Sequence, residues 1–347
     1  MFLYAAAAAV VNWRAHGGHR SSKVAWGICF LLFILVVGLR HEVGGDWHNY
    51  EENYFRDLGM PLDEALSGKD PGFQFLTWIS MQVGGGVYLV NFFASIFFAA
   101  GLVVFCRSQP RPWLALTVAV PYLVIVVAMG YTRQGAAIGL AMMGIVALSR
   151  HKNWLFVVLV ILAATLHKSA VILVPIAILA TPKRKVWTAV WAGITAVVVY
   201  VVLLADSVDD LVLNYIDAEY SSEGAGVRVA MNIVPAVLLL VLRKRLSLPP
   251  AERNLWLLLS VFAIGCGIWL PLSSSSTAVD RLALYLIPLQ MFVFARLPEL
   301  LNPRPGGGIA SIWVYAVVLY YATVQFVWLN FAVHSKYWVP YGSLLFI

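Results

Sequence analysis

Residues 86–106, GVYLVNFFASIFFAAGLVVFC, form an apolar run without a single charged side chain. A helix needs about 20 such residues to cross the hydrocarbon core of a bilayer. The pattern recurs along the whole 347-residue chain, in which 61% of the residues are hydrophobic and 12% are charged. This composition is too apolar for a soluble globular domain and predicts a polytopic helical membrane protein.

The apolar runs predict the number and position of the membrane spans. We expect an all-α bundle of about 11 or 12 spans, forming one integral membrane domain over residues 1–347, with added re-entrant or interfacial helices. The first span should be a retained helix rather than a signal peptide, because the basic residues follow it. The predicted spans are residues 1–12, 24–39, 86–106, 113–130, 134–149, 153–167, 169–181, 187–205, 228–242, 254–271, 281–297 and 309–332.

Basic residues sort to one end of these spans. That end collects sixteen of the 24 lysines and arginines with only two of the 17 acids, Glu252 and Glu299. The positive-inside rule makes this end cytoplasmic, so the basic pI does not indicate a nucleic-acid-binding protein. The sixteen residues are Arg14, Arg20, Lys23, Arg107, Arg111, Arg150, Lys152, Lys183, Arg184, Lys185, Arg243, Lys244, Arg245, Arg253, Arg296 and Arg304.

Two outer loops are predicted to be longer than the other connections. Residues 40–85 and residues 206–227 contain most of the acids of the chain. Within the first loop, residues 72–81 are apolar and aromatic but too few to cross, which indicates an interfacial or re-entrant helix. The cytoplasmic turns are short, so we expect no soluble catalytic domain on that side.

The segment 154–180 could form one long helix or two short spans that turn at His167-Lys168-Ser169. Basic clusters flank both ends, and only a hairpin places both of them on the cytoplasmic side. Each arm would then be about 20–22 Å long, short of the ~30 Å hydrocarbon core. We therefore expect the turn to lie below the outer surface, where irregular backbone must be buried in protein or line a wet cavity.

Arg133 opens a predicted helix at its outer end, with Gln134 beside it and with Gly135 and Gly139 spaced for close helix packing. A charged residue at this depth indicates a functional group, although a plain interfacial anchor is the alternative.

Two further groups lie at outer ends of spans. Arg281 follows Asp280, and a local ion pair is the alternative to a functional role. The stretch Arg40–Asp46 combines an arginine, a histidine, two carboxylates and a Gly44-Gly45 pair that lets the backbone turn tightly or approach a ligand, with a solvated loop as the alternative.

The sequence lacks the phosphate-binding glycine loop, the paired-histidine zinc helix and the nucleophile elbow. Its cysteines, Cys29, Cys106 and Cys266, all fall in apolar spans, and their spacing suggests neither disulfides nor a metal site. We expect no metal and no cofactor. What remains is a site that binds an anionic group with arginines and moves a proton with a carboxylate or histidine.

The motif set resembles the EpsG-type branch of the Wzy-like polysaccharide polymerases of bacteria. The motifs run in the order of that family over nearly the whole chain. They are Gly38–Asp46, Trp47–Tyr50, Asp70-Pro71-Gly72-Phe73, Arg133-Gln134, Leu166–Ala170, Asp280-Arg281 before Tyr285, and Trp338–Tyr341. A second glycine between Gly44 and Asp46, and Asp70 in place of a glutamate before Pro-Gly, depart from the family pattern.

The resemblance implies a metal-independent glycosyltransferase of the membrane-embedded GT-C-like class, acting at the outer face of the bacterial inner membrane. The growing glycan would leave undecaprenyl diphosphate and join a hydroxyl group on the next lipid-linked oligosaccharide. Both the donor and the acceptor are then lipid-linked, and a chain-length regulator is a possible partner.

The same resemblance assigns roles to particular side chains. Arg133 and Arg281 would bind the departing diphosphate, with Arg40 or Lys168 assisting and with Gln134 and Tyr285 contacting substrate. The general base would be Glu42, Asp46 or His167.

Two other functions fit the same residues. A flippase or transporter for lipid-linked sugars would also need a basic cavity, but the unusual polar groups should then extend toward the cytoplasmic side. A ligase would use the same donor with a different acceptor, so its arginines would look alike.

Overall fold

The computed structural model describes residues 1–12, 23–174, 193, 224–273, 276–301 and 309–347. Fourteen α-helices are numbered in chain order over these residues. The first nine are α1 Phe2–Val11, α2 Lys23–Gly38, α3 Trp47–Arg56, α4 Leu62–Ser67, α5 Pro71–Gln82, α6 Gly86–Ser108, α7 Pro112–Ala119, α8 Thr132–Ser149 and α9 Asn153–Leu166. The others are α10 Ala225–Leu242, α11 Pro250–Trp269, α12 Ser276–Leu284, α13 Ile287–Leu301 and α14 Ile309–Phe331.

Shorter elements join these helices. Helix α7 continues directly into a π-helix, Val120–Ala128. Single 3₁₀ turns are Lys168–Ile172, Arg243–Arg245, Leu270–Leu272 and Val333–Tyr337. Two short strands, β1 Arg40–His41 and β2 Gly342–Ser343, pair antiparallel.

The predicted all-α polytopic bundle is confirmed, because an apolar helix lies at nearly every predicted span that falls within the described residues. By length and composition, four helical segments among the described residues could cross a membrane: Gly86–Ser108, Ala225–Arg245, Pro250–Leu272 and Ile312–Phe331. Helices α12 and α13 together would make a fifth. The shorter apolar helices are Phe2–Val11, Lys23–Gly38, Pro112–Ala128 and Asn153–Leu166. The predicted span 187–205 and most of 169–181 lie outside the described residues.

The predicted span 281–297 is helical but bent. The chain is helical from Ser276 to Leu284, breaks, and continues as α13 at an angle of 47°. Pro288 explains the break, because it has no N–H to donate and its ring would clash with the carbonyl group of Leu284 in a continuous helix. Arg281 therefore lies within a short helix and not at the start of a span.

The two predicted outer loops differ from expectation in their helix content. The predicted helix at residues 72–81 is found as α5, and α3 and α4 precede it within residues 40–85. In the second loop, 206–227, residues up to 223 lie outside the described part, and α10 already begins at Ala225.

Close packing of α6 on α8 forms the centre of the bundle. An added Cβ at Gly139 would lie 2.5 Å from the carbonyl oxygen of Phe97 and 2.5 Å from the Cα of Phe98, and Gly101 faces the Gly139 backbone in the same way. Small residues let two helix backbones meet at this distance. The predicted role of Gly139 is confirmed, and this contact positions the first turn of α8.

The C-terminal segment, residues 332–347, contacts both the first outer loop, residues 40–85, and the helical bundle. Its strand β2 pairs with β1, and the N–H of Gly44 donates to the carbonyl oxygen of Tyr337 at 2.9 Å. The indole N–H of Trp338 donates to the carbonyl oxygen of Ile125 at 2.6 Å. Gly130 is packed against the same indole, since an added Cβ would lie 2.5 Å from the Cζ2 atom.

Charged contacts sort to two ends of the described part of the molecule. At the predicted cytoplasmic end, Arg111 pairs with Glu299 at 2.6 Å and Arg245 donates to the carbonyl oxygen of Leu300. At the other end, Arg133 pairs with Asp70. The two ends agree with the sorting of charges in the sequence, whereas the direction in which each end faces stays a prediction.

Gly139→Ala should destabilise the protein by about 1–3 kcal/mol, because the new methyl group meets backbone atoms that cannot move aside. Gly265→Ala is the matched control, since that helical glycine has no atom within 4 Å of its added Cβ. Thermal unfolding of both detergent-solubilised variants checks this. Equal melting temperatures would contradict the close packing of α6 on α8.

Candidate anion-binding site

The site is built on the turn Asp70-Pro71-Gly72. Asp70 precedes α5 with a left-handed backbone, φ 54°, and Pro71 occupies the first turn, where a missing N–H costs nothing. A Cβ at Gly72 would lie 2.9 Å from the Cβ of Thr165, so only glycine lets α5 start directly against the end of α9. The turn thereby carries the Asp70 side chain to the region between α8 and α9.

The Asp70 carboxylate joins three segments. Its Oδ2 lies 3.0 Å from Nη1 of Arg133, and its Oδ1 accepts the backbone N–H of Lys168 at 3.1 Å. The Asp70 side chain is 8% exposed and the Arg133 side chain 39% exposed. The acid therefore fixes one edge of the guanidinium group from the protein interior.

Arg133 lies in the first turn of α8 and is held from several sides. Its guanidinium carbon lies 5.7 Å from the ring centroid of Tyr50 and 5.8 Å from that of Phe73. The Tyr50 hydroxyl group accepts the Arg133 backbone N–H at 3.4 Å. Both the positive charge and the helix N-terminus favour an anion at this place.

Gln134 links α8 to α12. Its side-chain amide donates to the carbonyl oxygen of Arg281 at 2.6 Å. Arg281 is an exposed residue, and its charge, like that of Arg133, acts on Asp46, Asp70 and His167. We call these two arginines, with Lys168 and the three side chains they act on, the arginine cluster. The Gln134 contact thus brings together two arginines that are far apart in the sequence.

Asp280 forms an ion pair with Arg228, a residue that is distant from it in the sequence. Arg228 of α10 donates both Nε and Nη2 to the carboxylate of Asp280, at 2.6 and 2.7 Å. These side chains are 12% and 6% exposed. The local Asp280–Arg281 pair considered from the sequence is therefore not needed to account for Asp280.

The predicted break at His167 is confirmed. Helix α9 ends at Leu166, His167 is extended, and a 3₁₀ turn begins at Lys168. The imidazole Nδ1 accepts the N–H of Ser169 at 3.3 Å, and the charges of Arg133 and Lys168 act on the ring. The break therefore adds an imidazole and a backbone donor to the arginine cluster.

Asp46 reaches the cluster from the first outer loop. Gly44 precedes it with φ +107° and packs against the backbone of Met129, which only a glycine permits. Burial raises the pKa of Asp46 above its ordinary value of 3.8, although Arg281, Arg133 and Arg40 oppose the shift. Burial also raises the pKa of Asp70, and the charge of Arg133 opposes this shift.

Arg40 and Glu42 make other contacts than Arg133 and Arg281, although the charge of Arg40 also acts on Asp46. Arg40 is 1% exposed and donates to the carbonyl oxygens of Val37 and Val43 and to the side chains of Asn91 and Thr132. The Glu42 side chain is 63% exposed, and its Oε1 lies 3.9 Å from Nε2 of His41. The Arg40 guanidinium group thus donates to protein acceptors, which favours a structural role for Arg40. Glu42 faces away from the protein interior.

Tyr285 lies in the break between α12 and α13 and is 2% exposed. Its hydroxyl group is buried and, within the described part of the chain, has no hydrogen-bond partner. The charge of Asp70 acts on this hydroxyl group. Tyr285 therefore lies close to the cluster with an unused donor.

The sequence alone predicts no site role for Asp70, Tyr50 or Arg228. Asp70 and Tyr50 belong to motifs of the family resemblance but have no role assigned there. Arg228 could have been singled out, because it is the one charged residue in the helix Ala225–Leu242. A lone arginine in an apolar helix needs a partner.

Together the fold and the site define a multi-pass membrane protein with arginines and carboxylates gathered at one end of its helical bundle. The chain belongs to the EpsG family, whose family model matches residues 23–343. The matched region includes every site residue described above. No curated protein and no solved structure matches the chain. Membership indicates a polysaccharide-polymerase type of role.

Asp70→Asn should lower stability by about 1–2 kcal/mol, because it keeps the acceptor for the Lys168 N–H but leaves Arg133 without its counter-charge. Asp63→Asn, an exposed acid in the same outer loop, is the matched control and should change stability little. Thermal unfolding in detergent compares the two. A larger loss for the Asp63 variant would contradict the role given to Asp70.

Proposed function

We propose that the protein polymerises polyprenyl-diphosphate-linked oligosaccharide repeat units at the outer face of the bacterial inner membrane. The single observation that carries this proposal is the convergence of Arg133, Arg281, Lys168, Asp46 and His167, which come from four separate parts of the chain. A cluster of mixed charge inside an apolar bundle is costly unless it is paired or used. Family membership supports the polymerase chemistry.

Arg133 and Arg281 would stabilise the departing diphosphate. Cleavage of the bond from the anomeric carbon to oxygen develops negative charge on that group, and donors fixed in advance lower the barrier most. Asp70 and the Tyr50 ring fix the Arg133 guanidinium group in this way, while 39% of its side chain stays exposed to receive an anion. Lys168 would add a third cation. This chemistry requires no metal.

Asp46 is the strongest of the three candidates for the general base. It lines a large cavity described below, and the charges of Arg133 and Arg281 both act on it. Glu42 faces outward, and the imidazole of His167 lies among cations that disfavour the positive charge it would acquire as a base. A carboxylate with a raised pKa is also a better proton acceptor than an ordinary one.

Arg133→Lys and Arg281→Ala should each abolish extension of the glycan in cells. Lysine keeps the charge of Arg133 but loses the planar fork that holds both Asp70 and a phosphate. Arg56→Ala is the control, since Arg56 is a 69%-exposed arginine of the same outer loop. Gel analysis of polymer length, with membrane levels of each variant, provides the readout. Normal-length polymer from both site variants would refute diphosphate binding by these residues.

The rate of polymerisation should rise with pH and level off above the raised pKa of Asp46, because only the ionised carboxylate accepts a proton. The inflection should lie above pH 3.8, the ordinary value, because burial disfavours the charged form. Asp46→Asn should reduce the rate by about 100- to 10,000-fold. A pH profile of the reconstituted enzyme tests this. An unchanged rate in the Asp46→Asn variant would exclude this residue as the base.

Reconstitution with synthetic lipid-linked repeat units tests the function itself. Longer chains on the lipid carrier, formed with a chelator present, indicate a polymerase that works without a metal. Transfer only to a soluble acceptor would indicate a ligase, and movement across the bilayer without bond formation would indicate a transporter. Either of the latter results would refute polymerisation.

A further inference from the structure

A cavity of about 870 Å³ opens beside the arginine cluster. Its walls come from α10, from α14 and from the π-helix 120–128. Ligand pockets in proteins range over about 300–1,000 Å³, so the space suits a sizeable ligand. Most of its lining is apolar, including Val126 of the π-helix, Met231 and Val234 of α10, and Val324 and Val327 of α14.

The cavity is open on a side that presents apolar side chains. Val234 is 45% exposed, Val327 47% and Phe331 72%. Along α14 the lining extends from Tyr320 to Phe331, which is roughly 17 Å of helix. In a membrane-spanning bundle such a surface faces acyl chains, so an apolar ligand can enter it sideways without crossing water.

The acidic, basic and imidazole side chains of the cavity come from the loop and helix ends at its proposed outer end, whereas Tyr320 and Thr323 lie near the middle of α14. The charged and imidazole side chains include Asp46 and His48 of the first outer loop, Arg228 near the start of α10, and His334 after α14. A long apolar wall with charged groups at one end matches an amphiphile that has a hydrophobic chain and an ionic head. Because Asp46 belongs to both the cavity and the arginine cluster, that end adjoins the proposed reaction centre.

A second observation at this end also points to a ligand. Tyr122 lines the cavity and is 5% exposed, and its hydroxyl group lies beside the Arg228 side chain without a well-oriented hydrogen bond within the described part of the chain. A buried hydroxyl whose hydrogen bonding is incomplete is costly, and a ligand oxygen would complete it. The charge of Arg228 acts on this hydroxyl group, so both would face one anionic head.

We propose that this cavity binds the isoprenoid chain of one of the two lipid-linked substrates, which enters from the bilayer between α10 and α14. Its diphosphate lies beside Arg228 and Tyr122, while Arg133 and Arg281 bind the departing diphosphate of the other substrate. The inference rests on the proposed function and deepens it. A diphosphate would compete with Asp280 for the Arg228 fork, because phosphate and carboxylate oxygens suit the same paired donors. The sugar would then lie toward Asp46.

Photo-crosslinking tests where the isoprenoid chain binds, and it does not require catalysis. The probes are a polyprenol and the matching polyprenyl diphosphate, each with a diazirine near the far end of its chain, added to the full-length protein in lipid nanodiscs. Mass spectrometry should find adducts on Met231, Val234 and residues 324–331. Adducts confined to other surfaces would overturn the proposal.

Val234→Trp should fill the cavity and reduce labelling by both probes at least about ten-fold. Val237→Trp is a close control, because Val237 lies on the same helix and is also 45% exposed but does not line the cavity. Val327→Trp fills the cavity from α14 in case the first variant does not fold. Equal labelling of the cavity-filling and control variants would overturn the assignment.

The head group is tested with the double variant Arg228→Gln/Asp280→Asn, which keeps hydrogen-bonding side chains but removes both charges. Binding of the diphosphate probe should weaken at least about ten-fold, while binding of the polyprenol probe stays unchanged. Equal weakening of both would refute a head-group role for Arg228. If labelling occurs as expected but reconstitution yields no polymer, lipid binding in the cavity is confirmed and the polymerase proposal is refuted.

Discussion

A charge inside an apolar bundle is stable only where another charge or a hydrogen bond compensates it. The pair of Arg133 with Asp70 meets this requirement at the end of the bundle that is predicted to face outward. The acid also accepts the N–H of Lys168, so one buried carboxylate connects α5, α8 and the break after α9. Asp70 accepts a hydrogen bond from one edge of the Arg133 guanidinium group and holds it in place. The remaining N–H groups can therefore face an incoming anion.

Close backbone approaches place this pair. Gly72 lets α5 begin against α9, and Gly139 lets α8 approach α6. Gly44 lets the first outer loop lie against Met129, directly after the π-helix. Each contact excludes even one methyl group, so the positions of the helix ends are narrowly fixed. The C-terminal segment adds a further constraint through Trp338, which holds the same loop against the bundle and lies at the wall of the large cavity.

The arginine cluster and the cavity meet at Asp46, which places the proposed reaction at the boundary between them. An ionic head group bound there could have its chain in the bilayer-facing cavity and its sugar near the carboxylate. The pair of Arg228 with Asp280 lies between these regions, since Arg228 lines the cavity and Asp280 precedes Arg281 of the cluster. Two basic sites side by side would suit a reaction in which both donor and acceptor carry a lipid diphosphate.

The sequence by itself determined the all-α membrane bundle, the sorting of charge to two ends and the break at His167, because hydrophobic runs and charge placement are local properties of the chain. It also pointed to Arg133 and Arg281. Only the tertiary structure decided that Asp70 pairs with Arg133, that Arg228 takes Asp280, and that Arg40 is enclosed by protein acceptors. These partners lie 52 to 63 residues apart in the two ion pairs. Contacts at such separation depend on how helices pack, which no local pattern encodes.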